Sequence, residues 1–201
     1  KTLEDFEVIQ PFEHVCQWPL SSSDATVVSF ASRVGRNPDL NHRPFQEHGH
    51  TGYAWAARRD VLGDIGLFDE SIVGSGDHVM AHAFCEDRDV PCLDVPLGVN
   101  SPLVRSYRRW RKKIAPKPGT RRSLGFIAGR IRHLRHGSHE RRRYMVRSQR
   151  MNEMGFDPAK DLVRNNDDCW EWRDPMGEKA RFLETYFQQR QDDKSWIGIR
   201  F

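Results

Sequence analysis

No run in these 201 residues approaches the ~20 consecutive apolar side chains that a membrane-spanning helix requires. The opening Lys-Thr-Leu-Glu-Asp-Phe-Glu also lacks the basic, apolar and small-residue regions of a secretory signal, so a cytoplasmic protein is expected. Cysteine is sparse. Cys16, Cys85, Cys92 and Cys169 are widely spaced and form no Cys-x-x-Cys, which excludes a zinc ribbon and a dithiol redox motif. They read as reduced thiols, with a Cys85 to Cys92 bridge as the weaker alternative. Apolar residues reach only 37% against 30% charged, and the mean hydropathy is −0.74. The chain can therefore build one modest core, not two.

Acidic side chains are almost missing from residues 105–150, where Glu140 stands alone among seventeen of the 32 Lys and Arg residues. The net charge of +4 hides this imbalance. A basic arm on a near-neutral body suits nucleic acid, anionic lipid, or the phosphates of a nucleotide or acidic glycan, and equally a solvated basic face. No RNP sequence or Cys/His finger accompanies the charge, which argues against nucleic acid as the partner.

Along the chain, residues 1–6 read as the last turn of a helix, and Val8 to Phe12 as a short buried strand stopped by Pro11. Residues 19–46 hold no sustained period and are expected to form a long loop, with a short helix after Ser23. Tyr53 to Ala57 alternates like a strand. Arg59-Asp60 opens a helix with Val61, Leu62 and Ile65 on its apolar face and Gly66 at its end. Asp77 to Cys85 is a second helix with Val79, Ala83 and Phe84 inward, and Val90 to Val95 is a returning strand. Residues 116–123 form a break. Glu140 to Met154 and Glu178 to Gln191 are helices, the second with Phe182, Leu183, Tyr186 and Phe187 inward. The resulting fold class is α/β.

Several side chains have both chemical and architectural readings. His78 and His82 lie i, i+4 on one helix face with Cys85 a turn further, a spacing that can grip zinc, and His48 or His50 would complete such a site if the loop folds over. A packed helix face is the competing reading. His133, His136 and His139 recur every third residue in the basic arm and suit phosphate contact or solvation.

Gln10-Pro11-Phe12, Gly52-x-Ala54-x-Ala56-x-Arg58-Arg59, Gly66-Leu67-Phe68-Asp69, Gly74-Ser75-Gly76-Asp77 and His136-Gly137 follow one another in a distinctive order. In that order residues 8–156 resemble the acceptor-binding, C-terminal half of GT-A glycosyltransferases, nearest to β-1,4-galactosyltransferase-like and bacterial family-2-like enzymes. The resemblance implies a partial GT-A-like fold over residues 1–104 and a basic, mainly helical extension over 105–201. It makes Asp77 the general base for the acceptor hydroxyl and His136 a ligand of a divalent metal, Mn2+ or Mg2+, beside a nucleotide-sugar donor. His78 falls with the substrate-binding residues. Tyr53 and Trp55 offer flat faces for a sugar ring, or core packing. Arg58 and Arg59 offer paired donors to a diphosphate, or a plain helix start. A carboxylate at a helix N-terminus is also an ordinary cap for Asp77.

The sequence departs from those relatives in two ways. They carry an Asp-x-Asp motif and a nucleotide-binding βαβ half upstream of the Gln-Pro-Phe strand, whereas Asp87-Arg88-Asp89 here follows the Asp77 helix and does not qualify. Their glycine turn carries Glu-Asp-Asp, and here Asp77 is followed by His78. The expectation is an inverting transferase represented by a fragment, with a non-catalytic glycan- or partner-binding remnant as the alternative and nucleic-acid binding ranked last.

Overall fold

The computed structural model of the chain describes residues 2–18, 26–116, 124–134 and 139–190. It is a mixed α/β structure whose described strands form two three-stranded mixed sheets, laid end to end, and a separate two-stranded hairpin. After a single helical turn, α1 (Thr2–Asp5), strand β1 (Val8–Gln10) leads through Pro11 into β2 (His14–Trp18). Strand β3 (Val27–Val28) pairs antiparallel with β2, and helix α2 (Phe30–Arg36) follows, its first turn capped by Ser29 Oγ accepting from Ser32 N. A 3-10 turn (Pro38–His42) and α3 (Phe45–His48) complete a region that the sequence reading left largely as loop. Each of these elements is only four to seven residues long, too short for a period to show.

Strand β4 (Ala56–Ala57) pairs antiparallel with β1, and α4 (Arg59–Leu62) follows it. Tyr53 has φ +80°, so the expected Tyr53 to Ala57 strand forms only at its last two residues. Helix α4 also stops early, because Gly63 at φ +47° caps it and Gly66 lies beyond. Helix α5 (Gly76–Cys85) agrees with the spacing of Val79, Ala83 and Phe84, all buried. The expected strand over Val90 to Val95 is instead a 3-10 turn (Pro91–Leu93) running into α6 (Asp94–Leu97). Its β-branched residues suggest a strand, but Pro91 sits at the first helical position, where its missing N–H costs nothing.

Helix α7 (Pro102–Ile114) opens the basic segment and belongs to the core rather than to a solvated arm. Ser101 Oγ accepts from Val104 N and Pro102 takes the first turn, while Leu103, Val104, Tyr107, Arg111 and Ile114 form a buried face. Tyr107 donates its hydroxyl to Val79 O of α5, and Phe68 packs edge-on against its ring. Arg111 bridges Asp87 and Asp89, and Arg108 also binds Asp89. The Asp-x-Asp spacing of 87–89 thus serves an ion-pair network, and two of the arm's cations are satisfied internally.

Strands β5 (Leu124–Phe126) and β6 (Arg130–Leu134) run parallel to β1 and β2, with Val8 opposite Leu124 and His14 opposite Arg130. The ladder continues through the bend, since Ile127 N donates to Gln10 O and both Glu13 N and His14 N donate to Gly129 O. The sheet therefore draws strands from both sides of residue 104. Two helices, α8 (His139–Arg142) and α9 (Tyr144–Glu153), occupy the stretch expected as one, separated by Arg143 at φ +44°. After α10 (Pro158–Asp161), strands β7 (Leu162–Arg164) and β8 (Trp170–Trp172) form a hairpin, and α11 (Glu178–Arg190) follows. Tyr186 of α11 is buried and Phe182 and Leu183 pack on the core, whereas Phe187 is 46% exposed. Among the described residues no helix is long and apolar enough to cross a membrane.

Candidate functional site

The centre of the candidate site is the side chain of Gln10, fully buried at the end of β1. Its amide nitrogen donates to His50 O and Gly52 O, both at 3.1 Å, and its Oε1 accepts from Ala31 N at 2.8 Å. One side chain thereby joins the central strand, the start of α2 and the Gly49 to Gly52 segment. That segment is also bound to β3, with His50 N donating to Val28 O and Phe30 N to His50 O. In the sequence Gln10 is part of the Gln10-Pro11-Phe12 motif with no role of its own; full burial of its amide with three backbone partners makes it a connector.

The Gly74 to Gly76 bend delivers Asp77 beside this segment. Gly74 takes φ +109°, and a Cβ there would clash with the Arg147 guanidinium, so α9 packs directly onto the bend. Ser75 stands at the N-cap of α5 in a left-handed conformation without a side-chain cap bond. Asp77 is half-buried, and its Oδ1 accepts from His78 N at 2.9 Å. Its other oxygen comes so close to Gly52 that a Cβ on that glycine would sit 3.0 Å from Asp77 Oδ2 and 2.8 Å from His50 Cε1. The His50 ring is itself held, with Nδ1 accepting from Gly52 N and Tyr53 and Phe45 against its faces. Gly52→Ala is therefore expected to cost about 1–3 kcal/mol by overpacking, measurable as a lower urea midpoint with an unchanged slope.

Tyr53 is 37% exposed and lies between His50, Phe12 and His133 of β6, at ring separations of 4.7, 5.9 and 4.9 Å. Burial raises its phenol pKa above the ordinary value. The structure thus brings Asp77, His78 and Tyr53 around His50. Trp55 is half-buried, packs against Phe30 and Phe84, and donates Nε1 to Thr51 O at 2.7 Å. Arg58 and Arg59 are exposed at the start of α4, where Arg58 pairs with Asp60. His136 lies outside the described residues, two positions beyond the end of β6.

Immediately behind Asp77, the side chains of His48, His78, His82 and Cys92 converge, with one ligand atom from each all within 4.8 Å of one another. Cys92 Sγ lies 3.8, 3.5 and 3.3 Å from Nε2 of His48, His78 and His82. His48 ends α3 and His82 lies in the last turn of α5, both fully buried; His78 and Cys92 are half-buried. The other ring nitrogens of the two buried imidazoles face acceptors. His48 Nδ1 is 2.8 Å from Gly49 O, and His82 Nδ1 is 2.7 Å from Asn41 Oδ1. A carbonyl oxygen can only accept, so Nδ1 carries the proton in both rings and the Nε2 lone pairs point at the sulfur. Asn41, also buried, donates in turn to Glu86.

Burial keeps these imidazoles neutral: the pKa of His48 is lowered, that of His78 is lowered to about 3, and that of His82 falls well below the ordinary value. The same burial pushes the Cys92 thiol up to about 12. The sequence reading identified the His78 and His82 face but took Cys85 as its next member. Cys85 instead donates to Ala81 O and packs with Phe30 and Val34. Cys92 takes that place because the Pro91 turn brings the chain back under α5, where a strand would have carried it away.

A separate cavity of about 230 Å³ is bordered by Glu70, Arg109, Asp157, Arg164 and Trp170 and includes none of these side chains. Comparison of the chain with protein-family models, with curated proteins and with solved structures gives no match.

Proposed function

We propose that the chain is the acceptor-binding half of a GT-A-type glycosyltransferase in which Asp77 removes the proton from an acceptor hydroxyl. The observation that carries this reading is the position of the Asp77 carboxylate. It stands half-buried in the first turn of α5, against His50 and Gly52, with the exposed ring of Tyr53 across the same imidazole. A carboxylate held by the backbone on one oxygen keeps the other for a substrate proton. Tyr53 offers the ring face on which a sugar stacks, and Trp55 supports the packing of Phe30 and Phe84.

In the proposed step the acceptor O–H gives its proton to Asp77 while its oxygen forms a bond to the anomeric carbon of a nucleotide sugar. The bond from that carbon to the diphosphate oxygen breaks, and the diphosphate leaves with the electron pair. Attack from the side opposite the leaving group inverts the anomeric centre. Arg58 and Arg59 are the proposed diphosphate contacts, Arg58 exchanging Asp60 for phosphate oxygen. Mn2+ or Mg2+, expected with His136, favours hard oxygen donors. Among the described residues the one group that could hold a metal ion is a nitrogen and sulfur set, His48, His78, His82 and Cys92, and the donor phosphates' metal stays an expectation resting on His136.

Calorimetric titration distinguishes the readings. Binding of a nucleotide sugar in the presence of manganese, together with binding of a saccharide acceptor, supports transfer. Saccharide binding alone supports a glycan-binding remnant, and binding of DNA or RNA that weakens steeply with salt supports the basic segment as a nucleic-acid surface.

A further inference from the structure

We propose that His48, His78, His82 and Cys92 hold one zinc ion in a closed, four-coordinate structural site that pins the α3 terminus, α5 and the Pro91 turn together. The first argument is geometric. With zinc bonds of about 2.3 Å to sulfur and 2.0–2.1 Å to nitrogen, a tetrahedral centre separates the sulfur from each nitrogen by about 3.6 Å. Cys92 Sγ lies 3.3, 3.5 and 3.8 Å from the three Nε2 atoms. Four donors from three separate elements therefore converge within 4.8 Å of one another, with the sulfur already at zinc-site distances from all three nitrogens.

The second argument counts protons. His48 and His82 both aim an Nε2 lone pair at the same sulfur, because their Nδ1 protons are committed to Gly49 O and Asn41 Oδ1. A thiol has one proton and can satisfy only one of those lone pairs. A cation at the centre satisfies both imidazoles and the sulfur together, with the thiol proton released to solvent on binding. The contacts of Nδ1 with a backbone carbonyl and a buried asparagine are also those that orient imidazoles around metals.

The donor set decides the ion. Three imidazoles and a thiolate are a borderline-soft set that selects zinc over magnesium, calcium or manganese, whose preferred donors are oxygens. Four protein ligands leave no open position for water, so the site holds structure and performs no chemistry. His78 follows Asp77 directly, so the ion also fixes the start of the helix that presents the carboxylate. The proposal is independent of sugar transfer and stands or falls separately from it.

The test is the metal content and spectrum of the whole purified chain. Elemental analysis is expected to give one zinc per chain. Replacement by cobalt(II) is expected to give the intense visible bands of a tetrahedral ion and a near-ultraviolet thiolate charge-transfer band. Cys92→Ser should lose the charge-transfer band and most of the metal, whereas Cys85→Ser should keep both. Removing zinc with a chelator should lower Tm by roughly 10 °C or more, with recovery on adding zinc alone. A wild-type chain that neither contains zinc nor binds added zinc or cobalt overturns the proposal, as does an octahedral cobalt spectrum or loss of metal in Cys85→Ser. Because the decisive spectrum is that of the wild type, the test holds even if Cys92→Ser fails to fold.

Discussion

In a complete enzyme containing this half, replacing Asp77 with asparagine is expected to cut the rate of glycosyl transfer about 10²–10⁴-fold, the usual contribution of a positioned general base, and to leave thermal stability almost unchanged. The pairing of those outcomes separates catalysis from helix capping. Asparagine has nearly the shape of aspartate and retains an acceptor oxygen for His78 N, and the first-turn charge it removes is worth only about 0.3–1 kcal/mol against the helix dipole. What it lacks is basicity. If Asp77 serves only to finish α5, Asp77→Asn will turn over like the wild type, and only Asp77→Ala will show a loss, in stability. Measuring initial rates at saturating acceptor for both variants, alongside melting curves, gives the answer directly. A fall in kcat with an unchanged melting curve places the effect on proton transfer.

The second large effect is expected at Gln10. In Gln10→Leu the Gly52 carbonyl and the Ala31 N–H lose their partner in a fully buried position, while His50 O keeps Phe30 N. Each orphaned buried group costs about 1–3 kcal/mol, so a loss of roughly 2–6 kcal/mol is expected by denaturant titration. The defect should also reach the site, because Gln10 holds the segment whose Gly52 lies against the Asp77 carboxylate. Amide exchange at Ala31 and at residues 50–53 should accelerate more than exchange in α7, which Gln10 does not touch. Uniform acceleration across the protein would show that Gln10 acts on global stability alone.

Helix α5 was legible because its apolar residues recur at helical spacing and its start is marked by a glycine bend. The same spacing put His78 and His82 on one face, so half of the histidine and cysteine cluster could be read directly. His48 was a candidate only on condition that its loop folds over, and Cys92 was not read as a member of the cluster at all. His48 closes a four-residue helix and Cys92 a three-residue turn, and such short elements carry no period. Their approach depends on the Pro91 turn, which β-branched neighbours disguise as a strand.

Helix α7 was hidden for a different reason. Its charged residues dominate the composition of the segment, yet Leu103, Val104, Tyr107, Arg111 and Ile114 keep a buried helical face beneath them. In β6 the alternation of Ile131 and His133 with exposed Arg130, Arg132 and Leu134 is present but weak, and its partner β2 lies over a hundred residues away. Local patterns revealed the elements that bury one face against a neighbour close in sequence. The parallel pairing of β1 and β2 with β5 and β6, and the approach of Cys92 to the histidines, required contacts that no local pattern records.

The most direct test of sugar transfer is the anomeric configuration of the product, read by proton NMR after incubating a complete enzyme, this half joined to a donor-binding half, with manganese, a nucleotide sugar and a saccharide acceptor. A single carboxylate acting as base on the attacking hydroxyl predicts one new glycosidic bond of configuration opposite to the donor, formed in step with nucleoside diphosphate release. A product of the complete enzyme that retains the donor configuration, or one whose formation does not depend on Asp77, would contradict the account.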